Sequence, residues 1–266
     1  MNGIQKNLPI NININIMLLT VKGLFVSFGG VIASDLQDFT LADKELKVII
    51  GPNGAGKSTF MDMLCGKTKP QRGSINFDGK ELVGKKEVEI ADLGIARKFQ
   101  KPSIFPSITV FDNLLLAVKM PKGFMRSIMF KMTGEMYDKI VAVADRIGLK
   151  DELDKIAGAL SHGQKQWLEI GIVILQSPKM MLIDEPAAGM SDKETEKTGQ
   201  LLLDLSKEHS VLVIEHDMNF VKQIAKGTVA VFVRGKLLTE GSFEGVRNDQ
   251  RVIDSYLGRS NAQLEI

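Results

Sequence analysis

The chain has little of what builds disulfide scaffolds or membrane spans. Of its 266 residues one is cysteine, Cys65, and one is tryptophan, Trp167. A single thiol excludes an internal disulfide framework and suits a reducing compartment. Cys65 follows an apolar, helix-like stretch, so it reads as a small packing residue rather than a reactive group. No apolar run approaches the roughly 18 to 20 residues of a membrane-spanning helix. Nor does either charge dominate: 34 Lys and Arg stand against 32 Asp and Glu, which gives no electrostatic case for nucleic acid as a partner. With 44% hydrophobic and 25% charged residues, the composition is that of a folded globular protein, long enough for one large α/β domain or a core with an inserted lobe. No internal repeat is present.

Residues 1–16 contain an Ile-Asn alternation but lack the charged start, continuous apolar middle and cleavage site of a secretory signal. The alternation fits an added edge strand; the expectation carried forward is a disordered extension over 1–16 and a single domain over 17–266. Between Lys119 and Met136, Lys, Arg, Met and Phe are mixed as on a membrane-surface helix, but Pro121, Gly123 and Gly134 interrupt the pattern. A part of a helical lobe is the favoured reading there.

What the chain does have is a glycine-rich loop in an informative context. An apolar run, Val48-Ile49-Ile50, leads into Gly51-Pro52-Asn53-Gly54-Ala55-Gly56-Lys57-Ser58-Thr59, and a helix-like segment, Phe60 to Leu64, leads out. Glycines at this spacing let backbone N–H groups turn inward around phosphate oxygens, and the new helix adds its positive end. Lys57 supplies a charge for the β- and γ-phosphates, and Ser58 offers an oxygen to Mg²⁺. The segment therefore predicts binding of a nucleoside triphosphate.

The hydrophobic periods change in a definite order along the chain. Leu18 to Phe28 and Asp38 to Ile50 alternate, and Gly73 to Gly79 reads as a short strand closed by a turn. From Val110 to Leu160 the spacing becomes helical, with Leu114, Leu115 and Val118 and then Ile140, Val143, Ala144 and Ile147 on shared faces. Met180 to Ile183 and Val211 to Ile214 are short apolar runs that each end in acids. Such runs suit parallel strands buried on both faces, whose carboxyl ends meet the ligand in an open α/β sheet.

A second constellation is Leu160-Ser161-His162-Gly163-Gln164-Lys165-Gln166-Trp167-Leu168-Glu169, just upstream of the apolar run ending in Asp184-Glu185-Pro186. Ser161 followed three residues later by Gln164 predicts a capping-box helix start, a second positive helix end with a hydroxyl and a flexible Gly163. In one chain with the phosphate loop and the acidic strand end, this segment resembles the signature motif of ATP-binding-cassette (ABC) ATPases. The resemblance runs from about Met17 to the end. It implies an α/β P-loop NTPase core, a mostly parallel sheet flanked by helices, with an N-terminal antiparallel β subdomain and an α-helical subdomain inserted at about 101–165.

The family's remaining motifs can then be carried over residue by residue. Asp184 matches the aspartate that holds Mg²⁺, together with Ser58 and Gln100. Glu185 matches the catalytic carboxylate that polarises the attacking water. Gln100, in Arg97-Lys98-Phe99-Gln100, matches the glutamine that senses the metal and the γ-phosphate. His216 matches the switch histidine, whereas His209, in a polar turn, is read as structural. Phe28, before Gly29-Gly30, occupies the position that stacks on adenine, with core packing as the rival reading. Lys57 joins the catalytic set, and Ser161, Gly163 and Gln164 the nucleotide-binding set.

Two departures stand out. His162 replaces a signature glycine, and Ser191 stands where the family's D-loop ends in Asp. The resemblance further implies ATP and Mg²⁺ as ligands and an ATP sandwich with a second ATPase subunit. It implies transmembrane permease subunits as partners, an extracytoplasmic solute-binding protein acting indirectly, and a peripheral position on the cytoplasmic face of the membrane. Gly94 to Pro102, Ala187 to Gly189 and Arg251 to Gly258 are similar to the branched-chain amino-acid importer group; Leu160 to Ile170 with Glu215 to Met218 is similar to the ATP-binding subunit of urea importers. Nothing in an ATPase touches the solute, so the solute expectation, urea with branched-chain amino acids as the alternative, rests on resemblance alone. A DNA-repair or ribosome-associated ABC ATPase is the alternative of a different class.

Overall fold

In a computed structural model that describes residues 17–98, 104–118 and 132–255, the N-terminal alternation becomes two long strands, β1 (Met17–Phe28) and β2 (Val31–Ala42). They pair antiparallel, and β1 also pairs with β4 (Arg72–Phe77), which pairs with β5 (Lys80–Glu81). The buried positions of β1, among them Leu19, Val21, Leu24 and Val26, face a core shared with the second sheet. A bulge between Val26 and Ser27 shifts the register before the hairpin tip at Phe28.

Six strands form that second sheet, in the order β10-β9-β3-β8-β7-β6. They are β3 (Leu46–Ile50), β6 (Ile95–Lys98), β7 (Met180–Asp184), β8 (Ser210–Ile214), β9 (Val229–Val233) and β10 (Lys236–Gly241). All neighbours are parallel except β9 and β10. The continuous apolar runs have a simple cause. Val48, Met181, Val211 and Val231 point into one core, while Ile49, Leu182, Leu212 and Phe232 point into the other, so both faces of the sheet are dry. Each such fully buried side chain contributes about 1.5–3 kcal/mol relative to exposure.

The face toward the first sheet also covers α1 (Lys57–Leu64), through a ring cluster of Phe39, Phe60 and Phe232 with centroids 4.9, 5.5 and 6.1 Å apart. α2 (Glu87–Leu93) precedes β6. Between β6 and β7 the described residues form α3 (Val110–Ala117), α4 (Gly134–Arg146), two 3₁₀ turns at Lys150–Glu152 and Ala157–Ala159, and α5 (His162–Leu175). Of the faces read from spacing, Leu114, Val118, Ile140, Val143, Ala144 and Ile147 are buried and Leu115 is half-buried, and Leu114, Val143 and Ile147 pack around Gly171 of α5. α6 (Asp192–Leu205), α7 (Met218–Ile224) and α8 (Phe243–Arg247) complete the outer layer.

The expected extension over 1–16 and Gln100 lie outside the described residues, as does most of the Lys119 to Met136 stretch. Among the described residues no helix is long and apolar enough to cross a membrane.

Candidate functional site

The candidate site lies where the parallel strands end. In the register of the sheet, Ile49 of β3 faces Ile214 of β8, and Ile214 faces Asp184 of β7. Adjacent strands lie about 4.8 Å apart, so the phosphate loop, the Asp184-Glu185 pair and His216 emerge within roughly 10 Å of one another. The three motifs are distant in sequence and the sheet alone assembles them.

The loop itself is fixed by close backbone approach. A Cβ on Gly51 would meet the Phe232 carbonyl oxygen at 2.1 Å, and one on Gly56 the Ala33 carbonyl oxygen at 2.1 Å. Gly56, at φ 96°, begins α1 without any side-chain cap, which leaves that end suited to an anionic ligand. Ala55 N–H bonds Pro52 O at 3.1 Å and Ala55 O accepts from Gly235 N–H at 2.9 Å, bracing the turn of Gly51, Pro52, Asn53, Gly54, Ala55 and Gly56. The Lys57 ammonium is buried and curls over the loop, donating to Gly51 O at 2.6 Å and Pro52 O at 3.1 Å. Ser58 and Thr59 follow on the first turn of α1.

Asp184 is buried at the end of β7, and its Oδ1 has no hydrogen-bond partner. Its Oδ2 lies 3.6 Å from the Arg97 guanidinium, which also pairs with Asp62 of α1. Burial pushes the Asp184 carboxyl up from its ordinary value, Arg97 counteracts this, and Glu185 adds to it. An orphaned, buried carboxylate oxygen beside a serine-bearing helix start fits a hard cation. Among the described residues there is no cluster of three His, Cys, Asp or Glu that could hold a metal alone. That donor set fits Mg²⁺, which binds through one carboxylate and completes its shell with phosphate oxygens and water.

Glu185 has a left-handed backbone, φ 46°, while its N–H still bonds Ile214 O at 3.0 Å. The strained turn points its half-buried carboxylate toward His216, whose Nδ1 lies 3.4 Å from Oε1. Phe28 is 54% exposed at the tip of the β1–β2 hairpin, which removes core packing as its role. Its cross-strand partner is Val31, two residues from the Ala33 that rests on Gly56, so the hairpin tip and the phosphate loop share the strand segment Val31 to Ala33 as neighbour.

The signature residues gather elsewhere. Ser161 caps α5 through a reciprocal box with Gln164: Gln164 N–H donates to Ser161 Oγ at 3.2 Å and Ser161 N–H to Gln164 Oε1 at 3.0 Å. Gln164 Nε2 reaches Glu152, and the missing Cβ of Gly163 makes room for the Glu194 carboxylate. These partners belong to the helical region and to α6, not to the phosphate loop. Ser191, one of the two departures, caps α6 with Glu194. His209 Nδ1 lies 2.7 Å from Pro178 O.

Four residues in this neighbourhood carry no role in the sequence reading: Arg97, Lys98, Glu169 and Glu215. Lys98 Nζ and Glu169 Oε2 lie 3.4 Å apart, both buried, joining the end of β6 to α5. No local pattern marks them, because each reads as an exposed charge until the elements that bury it are known.

The chain matches the family model described as "ABC transporter" over residues 35–188. It is 35% identical over 252 residues to the high-affinity branched-chain amino acid transport ATP-binding protein LivG of Salmonella typhimurium, an alignment covering 91% of this chain and 98% of that protein. To BraF of Pseudomonas aeruginosa, a protein of the same description, it is 34% identical with the same coverage. Among solved structures it resembles an ATP-binding cassette of an ABC transporter in its ADP conformation, with TM-score 0.81 and 30% identity over 91% of this chain and 99% of that one. It also resembles a nucleotide-free cassette, with TM-score 0.79 and 29% identity over the same shares of the two chains.

Proposed function

The chain belongs to the ABC transporter family, and from that premise we propose that its ATP hydrolysis drives solute uptake through a membrane permease at the cytoplasmic face. The observation that carries the proposal is the meeting of Lys57, Asp184, Glu185 and His216 at one edge of the sheet. The loop N–H groups and Lys57 hold the triphosphate, and Phe28 stacks on the base. Ser58 and Asp184, with Gln100, would hold Mg²⁺, which would neutralise charge on the β- and γ-phosphates. Glu185 orients the attacking water and accepts its proton, and His216 faces the γ-phosphate. Water adds to the γ-phosphorus as the bond to the β,γ-bridging oxygen breaks, giving ADP and phosphate.

The signature trio, Ser161, Gly163 and Gln164, bonds within its own region rather than to the phosphate loop. A second ATPase subunit would therefore bring its own trio over the γ-phosphate, closing an ATP sandwich that opens on hydrolysis. The helical region between β6 and β7 carries that motion to the permease, and a solute-binding protein acts from the far side.

Two solutes follow from different observations. The names of the relatives favour branched-chain amino acids. The segment from Leu160 to Ile170 favours urea, through its resemblance to urea-importer cassettes. Uptake of labelled urea and labelled leucine in cells with and without the gene decides between them. Rescue by the wild-type gene but not by Glu185→Gln ties uptake to this chain's hydrolysis. Normal uptake of both solutes in its absence would refute the importer reading.

A further inference from the structure

Glu215, the first residue after β8, is 1% exposed and touches the ends of three strands. Its N–H donates to Ile49 O of β3 at 3.2 Å. Its Oε1 accepts from the N–H of Ala187, in the turn that leaves β7, at 3.3 Å. Its Oε2 accepts from the N–H groups of His216 at 2.9 Å and Asp217 at 3.3 Å. A buried carboxylate is costly unless its oxygens are satisfied, and here backbone groups of two separate turns satisfy them. Those two turns carry Glu185 and His216. The His216 ring nitrogen Nδ1 lies 3.4 Å from Glu185 and 3.8 Å from Glu215, so two carboxylates flank one imidazole.

We propose that Glu215 is a positioning residue for hydrolysis: its carboxylate cross-links the turn after Glu185 to the backbone at His216 and so holds the carboxylate and the imidazole in register. The inference rests on the catalytic reading of Glu185 and His216 above. It adds a group that acts through Glu185 and His216 rather than on the nucleotide itself. Two turns on different strands drift independently without such a link, and small losses of alignment lower turnover while leaving nucleotide binding intact.

Glu215→Gln tests it directly. A glutamine keeps the shape but has a single acceptor oxygen, so its NH₂ must face either Ala187 N–H or the His216 and Asp217 pair. The expected result is a kcat lower by about 10- to 100-fold, with KM for ATP changed by less than about twofold, as for a group absent from ground-state binding. In a His216→Ala background the loss of kcat from the same substitution should shrink severalfold, because only the Glu185 turn is then left to position.

Glu215→Asp, too short to reach both turns, keeps the His216 and Asp217 bonds and should give an intermediate kcat. Equal losses from Glu215→Gln in both backgrounds, or wild-type kcat in either Glu215 variant, would overturn the inference. If His216→Ala alone leaves kcat unchanged, the catalytic reading of His216 fails as well, and that result is distinct from the others.

Discussion

His162 Nε2 lies 3.1 Å from the carbonyl oxygen of Ala188, joining the first turn of α5 to the turn that follows β7 in the same chain. The first departure from the family's signature thus acts within the chain, and the second, Ser191, caps the helix whose Glu194 packs against Gly163. His162→Gly would remove the contact and place glycine in a helical turn. The expected cost is about 1 kcal/mol, a fall of about 2–4 °C in the unfolding midpoint. If the contact also sets how the signature meets a partner's nucleotide, KM for ATP should rise by about fivefold. Unaltered ATPase activity from mildly acid to alkaline pH would remove that role.

Glu185→Gln should lower the hydrolysis rate by about 10²- to 10⁴-fold, the usual span for a lost general base. Binding of ATP should persist, because the phosphate loop is untouched, so the variant should accumulate as an ATP-bound dimer. Size-exclusion chromatography with and without ATP reads the dimer, and phosphate release reads the rate. Hydrolysis at the wild-type rate would mean that another group handles the water.

Asp184 stands where function and stability conflict. Burial raises its folded-state pKa against the opposing Arg97 guanidinium, so folding disfavours the charged form relative to the unfolded chain. The stability linked to that shift is fully present below the ordinary carboxylate value and is lost as pH rises through the raised value. Above that raised value the metal-free chain carries the buried charge at a cost. Asp184→Asn should make the metal-free chain more stable at neutral pH, with the gain shrinking as pH falls, while Mg²⁺-dependent hydrolysis disappears. Urea unfolding at two pH values checks the sign, and a variant less stable at neutral pH would contradict it.

The phosphate loop, the strand ending in Asp184 and the Ser161-Gln164 capping box were legible because each depends on a local pattern: glycine spacing, an apolar run, a capping pair. The assembly of the site depends on strand order, which no local pattern records. β3 and β7 are separated by β8, a strand encoded after both, so the closeness of Glu185 to His216 emerges only from the sheet. Buried charges were illegible for a related reason. Glu215 and Glu169 look like surface acids until the element that buries them is known. Phe28 shows the converse: its exposure, not its residue type, excludes a core-packing role.

Lys98 and Glu169 provide the sharpest test of that buried electrostatic layer. Lys98 lies on β6, two residues before Gln100, and Glu169 lies on the signature helix, so the pair connects two elements expected to respond to nucleotide. Burial pushes the Lys98 ammonium pKa down, and Glu169 counteracts the shift. Lys98→Met would leave a buried carboxylate short of compensation, and Glu169→Gln would do the same to the ammonium. Breaking a buried pair from one side costs about 3–5 kcal/mol. Replacing both, as Lys98→Met with Glu169→Leu, should recover most of that loss, because neither charge then has to be desolvated. The pH dependence has a definite sign. With its folded-state pKa depressed, Lys98 holds its proton less tightly in the fold than in the unfolded chain, so stability rises with pH between the depressed value and the ordinary lysine value. The deficit of Glu169→Gln should therefore narrow at alkaline pH, where the ammonium can lose its proton, while that of Lys98→Met should not. Denaturant unfolding of the three variants at neutral and alkaline pH separates these outcomes. A double variant as unstable as the singles would show that the pair serves packing rather than charge compensation.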